Sequence, residues 1–193
     1  MVDDIDGGLR TALVADLDAG FADVVRAHER TLYSVALQLT HRPADAEDLA
    51  ADTLLRAYRA LRGYDAQRVM ALRVRPWLLT ILRNTARNAA RDASRRPAPP
   101  PGFETAEEPS AQPSVEEQAE HGEAQRVLGA ALRQLPDLQR LAVTLRHVVD
   151  LPIAEVAEVL GCPEGTAKSH ISRGLQRLRS VLPAAEPSGR GVR

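Results

Sequence analysis

The stretch 97–122 decides how the rest of this chain can fold. It holds six of the thirteen prolines, at 97, 99, 100, 101, 109 and 113, with several acids and little that could be buried. Such a segment cannot continue a packed core and reads as a linker, so whatever folds must do so in two shorter units on either side. The 193-residue chain is 44% hydrophobic, which excludes wholesale disorder, but only 3% aromatic. Its apolar residues are mainly Ala, Leu and Val, and alternating β-branched and aromatic runs are missing. The expectation is an all-α protein: two small helical domains joined by a flexible, acidic, Pro-rich linker.

Charge sharpens the division. The formal net charge of -1, taken whole, argues against a nucleic-acid partner, but it hides blocks of alternating sign: -7 over 1–55, +9 over 56–96, -7 over 97–125 and +4 over 126–193. All but one of the 25 basic residues are Arg, the side chain suited to bidentate contact with phosphate and guanine. The single Cys162 excludes a disulfide framework and any Cys-based zinc site within the chain. No apolar run approaches the roughly 20 residues of a membrane span, and the acidic start lacks the basic n-region of a signal peptide. A cytoplasmic protein without membrane insertion is expected.

Helical periodicity marks Phe21, Val24, Val25, His28, Leu32, Val35, Ala36 and Leu39 as one buried stripe. A second helix opens at Pro43, with Asp45, Glu47 and Asp48 at the positive end of its dipole, and buries Ala46, Leu49, Ala50, Thr53, Leu54, Ala57, Tyr58 and Leu61. Gly63 ends it, and a loop through about Arg75 leads to a third helix from Pro76 to about Arg96. After the linker, helices are expected around Val127, Leu128, Ala131, Leu132 and Leu135, around Leu138, Leu141, Ala142, Leu145, Val148 and Val149, from Pro152 to Leu160, and from Glu164 to Leu182. The expected domains are 20–96 and 123–182, with an extension over 1–19 and a disordered tail over 183–193.

The last two helices have the grammar of a helix-turn-helix, with Ala157 at the crossing, Gly161 in the turn and Ala167 and Ile171 inward. Thr166, Lys168, Ser169, Ser172, Arg173, Gln176 and Arg177 form the opposite face, with His170 on its border. Short hydroxyls and long cations in that arrangement suit phosphates and guanine edges in a major groove. On the third helix Asn84, Arg87, Asn88, Arg91 and Arg95 share a stripe, flanked by Arg83 and Arg96, a composition suited to duplex or opened DNA. The histidines at 28, 41, 121, 147 and 170 are scattered, and there is no helical His-Glu pairing, Gly-rich phosphate loop or nucleophile elbow. His28 and His147 read as partly buried helix residues. No enzyme, metal site or cofactor is expected.

Three ordered stretches resemble the extracytoplasmic-function (ECF) sigma factors of bacterial RNA polymerase: Asp45 to Thr53, Pro76 to Asn88 and Leu160 to Ser169. The similarity covers about 20–96 and 123–182. It implies a sigma region 2 domain followed by a region 4 helix-turn-helix domain, a protein that binds core RNA polymerase and directs promoter-specific transcription initiation. Asp45, Glu47, Asp48, Leu49, Asp52 and Thr53 would dock on the clamp of the β′ subunit, and the second domain on the β flap. Trp77, Arg83, Asn84, Arg87, Asn88, Arg91 and Arg95 would recognise and open the -10 element. Thr166, Lys168, Ser169, His170, Ser172, Arg173, Gln176 and Arg177 would read the -35 element. The linker would follow the polymerase cleft, and an anti-sigma factor would hold the protein inactive. Two departures stand out: Met70, Leu72 and Val74 occupy the neighbourhood where the family usually has Phe, and His170 a position that is commonly Arg. The reading from another class is a stand-alone helix-turn-helix repressor or activator.

Overall fold

The computed structural model describes the backbone of residues 2–95 and 119–182 and the side chains of 6–92 and 126–182. Most of the expected linker, and the tail over 183–193, lie outside the described residues. Among the described residues the fold is helical, as expected. The expected extension contains a helix, α1 (Val2–Ala15), which buries Leu9 and Leu13. Its crossing with α2 (Leu17–Thr40) needs Gly20, where an added Cβ would lie 2.5 Å from the backbone of Ala12 and Leu13. Asp16 caps α2 by accepting from the Asp18 and Ala19 N–H groups at 2.9 and 3.0 Å. The helix ends at His41 in the left-handed region, φ 66°, whose N–H donates to the Leu37 carbonyl.

Helix α3 (Pro43–Leu61) opens on Pro43, as expected. The loop after it contains a short helix, α4 (Ala66–Met70), capped by Asp65. Helix α5 (Val74–Arg95) begins two residues before Pro76. The reason is a cap from far away in sequence: the Asp6 carboxylate accepts from the Val74 N–H at 3.1 Å.

Beyond the linker, α6 (Ala119–Arg133) begins four residues inside the segment expected to be linker and leads to α7 (Asp137–Val143). A π-helical turn, Thr144–Val148, follows, with the Val149 N–H bonded to the Thr144 carbonyl. The extra residue in this turn shifts the face, so Val148, expected in the core, is exposed and Val149 is buried. His147, expected partly buried, is exposed as well. Val127, Leu128 and Leu138 also stand exposed, while Arg140 is buried and holds the α6–α7 turn through the Leu135 carbonyl and Asp137. Helices α8 (Ile153–Leu160) and α9 (Glu164–Val181) complete the chain.

The two modules are not separate bodies. One continuous core joins Val24, Leu32, Leu61, Leu78 and Leu82 to Leu145, Leu151, Val156 and Val159. A smaller cluster of Ala131, Leu132, Leu135, Val143 and Leu178 ties α6 and α7 to α9. Burying each such Leu stabilises by roughly 1.5–3 kcal/mol relative to leaving it in water.

Two stability predictions follow from this packing. Gly20→Ala forces the α1–α2 crossing apart and is expected to cost about 1–3 kcal/mol, read as a lower denaturation midpoint with an unchanged slope. His28 is buried, its Nε2 meets no partner, and burial lowers its pKa, Asp6 opposing this and Arg75 adding to it. The folded state therefore takes up the His28 proton at a lower pH than the unfolded chain, which protonates near pH 6.5. Stability is complete above that pH and lost as pH falls through it, by at most about 1.4 kcal/mol per pH unit. His28→Leu is expected to flatten the dependence of Tm on pH between 7.5 and 5.5.

Candidate nucleic-acid interface

The turn between α8 and α9 is set by Gly161, φ 62°, whose N–H donates to the Glu158 carbonyl while the Cys162 N–H donates to that of Ala157. Ala157, Ala167 and Ile171 are buried at the crossing, as a helix-turn-helix requires. Gly174 allows α9 to cross α7 closely: an added Cβ would lie 2.6 Å from Val143 Cγ2. The outer face of α9 exposes Thr166, Lys168, Ser169, Ser172, Arg173, Gln176 and Arg177 together. His170 is half-buried, with Nδ1 shielded from solvent and unpartnered.

Two open clefts flank this face, and their walls include residues that periodicity did not single out. In one of about 350 Å³, Arg146, His147, Lys168, Ser172 and Arg179 surround a floor containing Ile153 and Ile171. In the other, of about 410 Å³, Gln139 faces Arg173, Gln176 and Arg177. Arg146 and His147 belong to the π-helical turn, whose altered register an α-helical reading of the sequence cannot anticipate.

On α5, Asn84, Arg87, Asn88 and Arg91 are exposed on one stripe. The backbone of Arg95 continues it, its side chain lying outside the described residues. Arg83 is not part of that stripe. Its guanidinium is partly buried, which lowers its pKa ahead of the effect of Arg87, and donates to the Val159 carbonyl of α8 at 3.0 Å. A carbonyl in the last turn of a helix lacks an intrahelical partner and sits at the negative end of the dipole, so it draws the cation. Gly161 leaves room for it, since a Cβ there would come within 3.1 Å of Arg83 Nη1.

The loop before α5 adds a feature the sequence reading missed. The Arg68 guanidinium lies 3.8 Å from the centre of the Tyr64 ring, and that ring lies 6.1 Å from Trp77 at 55°. Trp77 is half-buried, and Met70, at the end of α4, is exposed; a cation and ring array of this kind suits an unstacked base. The signal available in sequence was Tyr64 followed four residues later by Arg68, but the short helix α4, which carries Arg68, was needed to bring them together.

The candidate docking helix α3 exposes Asp45, Glu47 and Asp48, while Asp52 is half-exposed and bonded to Arg56 at 2.8 Å. Leu49 and Thr53 do not belong on that surface. Both are buried, and the Thr53 hydroxyl donates to the Leu49 carbonyl at 2.7 Å. Leu55 is the exposed apolar residue of this helix.

Residues 24–96 match the family model described as Sigma-70 region 2, and residues 125–178 match that described as Sigma-70, region 4. The ECF RNA polymerase sigma factor SigM of Mycobacterium tuberculosis is 32% identical over 179 residues, covering 92% of this chain and 84% of that protein. This chain belongs to the ECF sigma factors. The sigma-E factor of Streptomyces avermitilis is 30% identical over 172 residues, covering 89% of the chain and 90% of its own length. Among solved structures, the sigma factor RpoE of Bartonella quintana, in complex with the anti-sigma factor NepR, superposes with a TM-score of 0.62 at 26% identity, over 83% of this chain and 95% of its own. As a sigma factor the protein is non-catalytic; it binds core RNA polymerase and confers promoter recognition in transcription initiation. Among the described residues, no helix is long and apolar enough to cross a membrane, and no group of three or more His, Cys, Asp or Glu side chains could hold a metal.

In this sigma factor the two modules meet through α5 and α8. Besides the Arg83 contact, Arg73 pairs with Glu155 and with Glu158. Burial raises the Glu155 pKa in spite of Arg73. A second contact brings His41 near Arg133 and Arg140, which add to burial in lowering its pKa. Replacing Arg73 by Glu and Arg83 by Ala together is expected to part the modules, seen as a larger radius of gyration by small-angle scattering at unchanged helicity.

Proposed function

We propose that this sigma factor reads the -10 element with α5 and the loop before it, and the -35 element with α9. The observation that carries the reading is the juxtaposition on α5: an exposed stripe of Asn84, Arg87, Asn88 and Arg91 next to the Arg68, Tyr64 and Trp77 array. Extruding a base from duplex DNA costs a few kcal/mol, and stacking it on an aromatic or guanidinium plane returns about 1–3 kcal/mol. Met70, which with Leu72 and Val74 occupies the neighbourhood where the family usually has Phe, is an exposed apolar contact for the captured base. On α9, Lys168, Arg173, Gln176 and Arg177 face the major groove, and Arg146, His147 and Arg179 hold flanking phosphates.

Asp45, Glu47, Asp48 and Asp52, with Leu55 among them, form the surface offered to the β′ clamp; the second module takes the β flap. An anti-sigma factor as partner follows from the likeness to RpoE, which was solved with NepR. The protein acts in the cytoplasm, with domains near 20–96 and 123–182.

The packed arrangement is a closed state. Helices in contact lie about 8–10 Å apart, so α5, α8 and α9 place the two readers within about 20 Å. At 3.4 Å per base pair that spans about six pairs, whereas elements at -10 and -35 are separated by far more. The α5–α8 contact must part on the promoter.

The deciding experiment uses the full chain with core polymerase on a promoter selected by that holoenzyme from random-sequence DNA. Asn84→Ala with Arg87→Ala is expected to cut permanganate reactivity of -10 thymines at least tenfold while duplex binding falls less than threefold. Undiminished melting would overturn the assignment of α5.

A further inference from the structure

The helix α1 lies outside the matched region 2, which begins at residue 24, yet its polar side chains reach the segment joining the Arg68–Tyr64 array to α5. The Asp6 carboxylate accepts from the Val74 N–H at 3.1 Å, and the Arg10 guanidinium donates to the Leu72 carbonyl at 3.3 Å. These contacts bridge 68 and 62 residues of sequence. The start of α5 has no local means of capping. The preceding residue, Arg73, has no acceptor in its side chain, and its charge would oppose the positive end of the helix dipole. Pro76, in the first turn, offers no N–H at all. The carboxylate of Asp6 supplies both the acceptor and the favourable sign.

Trp77 lies three residues beyond Val74, and Met70 two before Leu72. The segment 72–74 is therefore the joint that fixes the angle between the array and the Asn84 stripe. Leu9 and Leu13 anchor α1 in the core on the same helix, and the close crossing at Gly20 keeps it in place. We infer that α1 is part of the promoter-opening machinery, with Asp6 and Arg10 as positioning residues that hold the base-capturing loop and α5 in one geometry. This rests on the assignment of the -10 element to α5.

The test compares Asp6→Ala, Asp6→Asn and Arg10→Ala with the Asn84→Ala, Arg87→Ala double variant. All are full-length chains assembled with core polymerase on the selected promoter. Affinity for core, binding of duplex -35 DNA, permanganate reactivity at -10 and affinity for a single-stranded -10 non-template oligonucleotide are measured. Asp6→Ala and Arg10→Ala are expected to lower the last two about three- to tenfold, the scale of one lost cap or hydrogen bond, and to leave the first two within twofold. Asp6→Asn keeps a capping oxygen and is expected to restore melting to within twofold of the wild type. Melting and oligonucleotide capture unchanged in both Asp6→Ala and Arg10→Ala would overturn the inference, as would losses shared equally by core and -35 binding. If Asp6→Ala fails to fold, Arg10→Ala and Asp6→Asn carry the same comparison. If the Asn84, Arg87 variant melts normally, the α5 assignment fails; if it alone is impaired, only the role of α1 does.

Discussion

Helix α5 is covered by α1, α2, α3 and α8, and the molecule depends on how little of it is left open. Val74, Leu78, Leu79 and Leu82 are almost fully buried and Thr85 is buried after them, which holds the helix rigidly, while Asn84, Arg87, Asn88 and Arg91 remain exposed. A helix proposed to offer guanidiniums and amides to DNA without bending is served by this division. Its first half supplies the hydrophobic anchor and its second half projects. The same logic governs α9, where Ala167, Ile171 and Leu178 are the anchor and the small residues Ala167 and Gly174 let α8 and α7 approach.

The contact between α5 and α8 shows how one residue acquires two uses. Arg83 belongs by spacing to the DNA-facing set, yet here its guanidinium satisfies the Val159 carbonyl, and Arg73 engages Glu155 and Glu158. The paired groups are half-exposed, and exposed ion pairs contribute at most about 1 kcal/mol each. An interface of this type, apolar at its centre and closed by partly solvated charges, suits a joint that opens when phosphates compete for its arginines. The chain's near-neutral net charge is a sum over acidic and basic blocks, some of which meet each other here, as Arg73 meets Glu155 and Glu158.

Much of the site was legible in the sequence because helical periodicity sorts residues by face. The exposed face of α9 and the stripe at Asn84, Arg87, Asn88 and Arg91 fall where spacing alone places them. Misreadings came where something other than the period of a regular helix decided a side chain's fate. Periodicity put Leu49 and Thr53 in the buried stripe, where they lie, the Thr53 hydroxyl donating to the Leu49 carbonyl; the place on the docking surface that the family resemblance implied for both is closed to them. Val148 keeps the spacing of a core residue, but a π-helical turn rotates it into solvent and brings Arg146 and His147 beside α9.

The amino-acid sequence by itself determined the longer helices of both modules, the division at the Pro-rich segment, the turn at Gly161 and the family, because each depends on residues within a few positions of one another. Tertiary structure alone decided that α5 starts at Val74, that Arg83 faces α8, and that Tyr64, Arg68 and Trp77 gather at the start of α5. The first two share one physical reason. A helix end or a guanidinium takes whatever acceptor or donor the packing brings within about 3 Å, and local periodicity carries no record of a partner some seventy residues away.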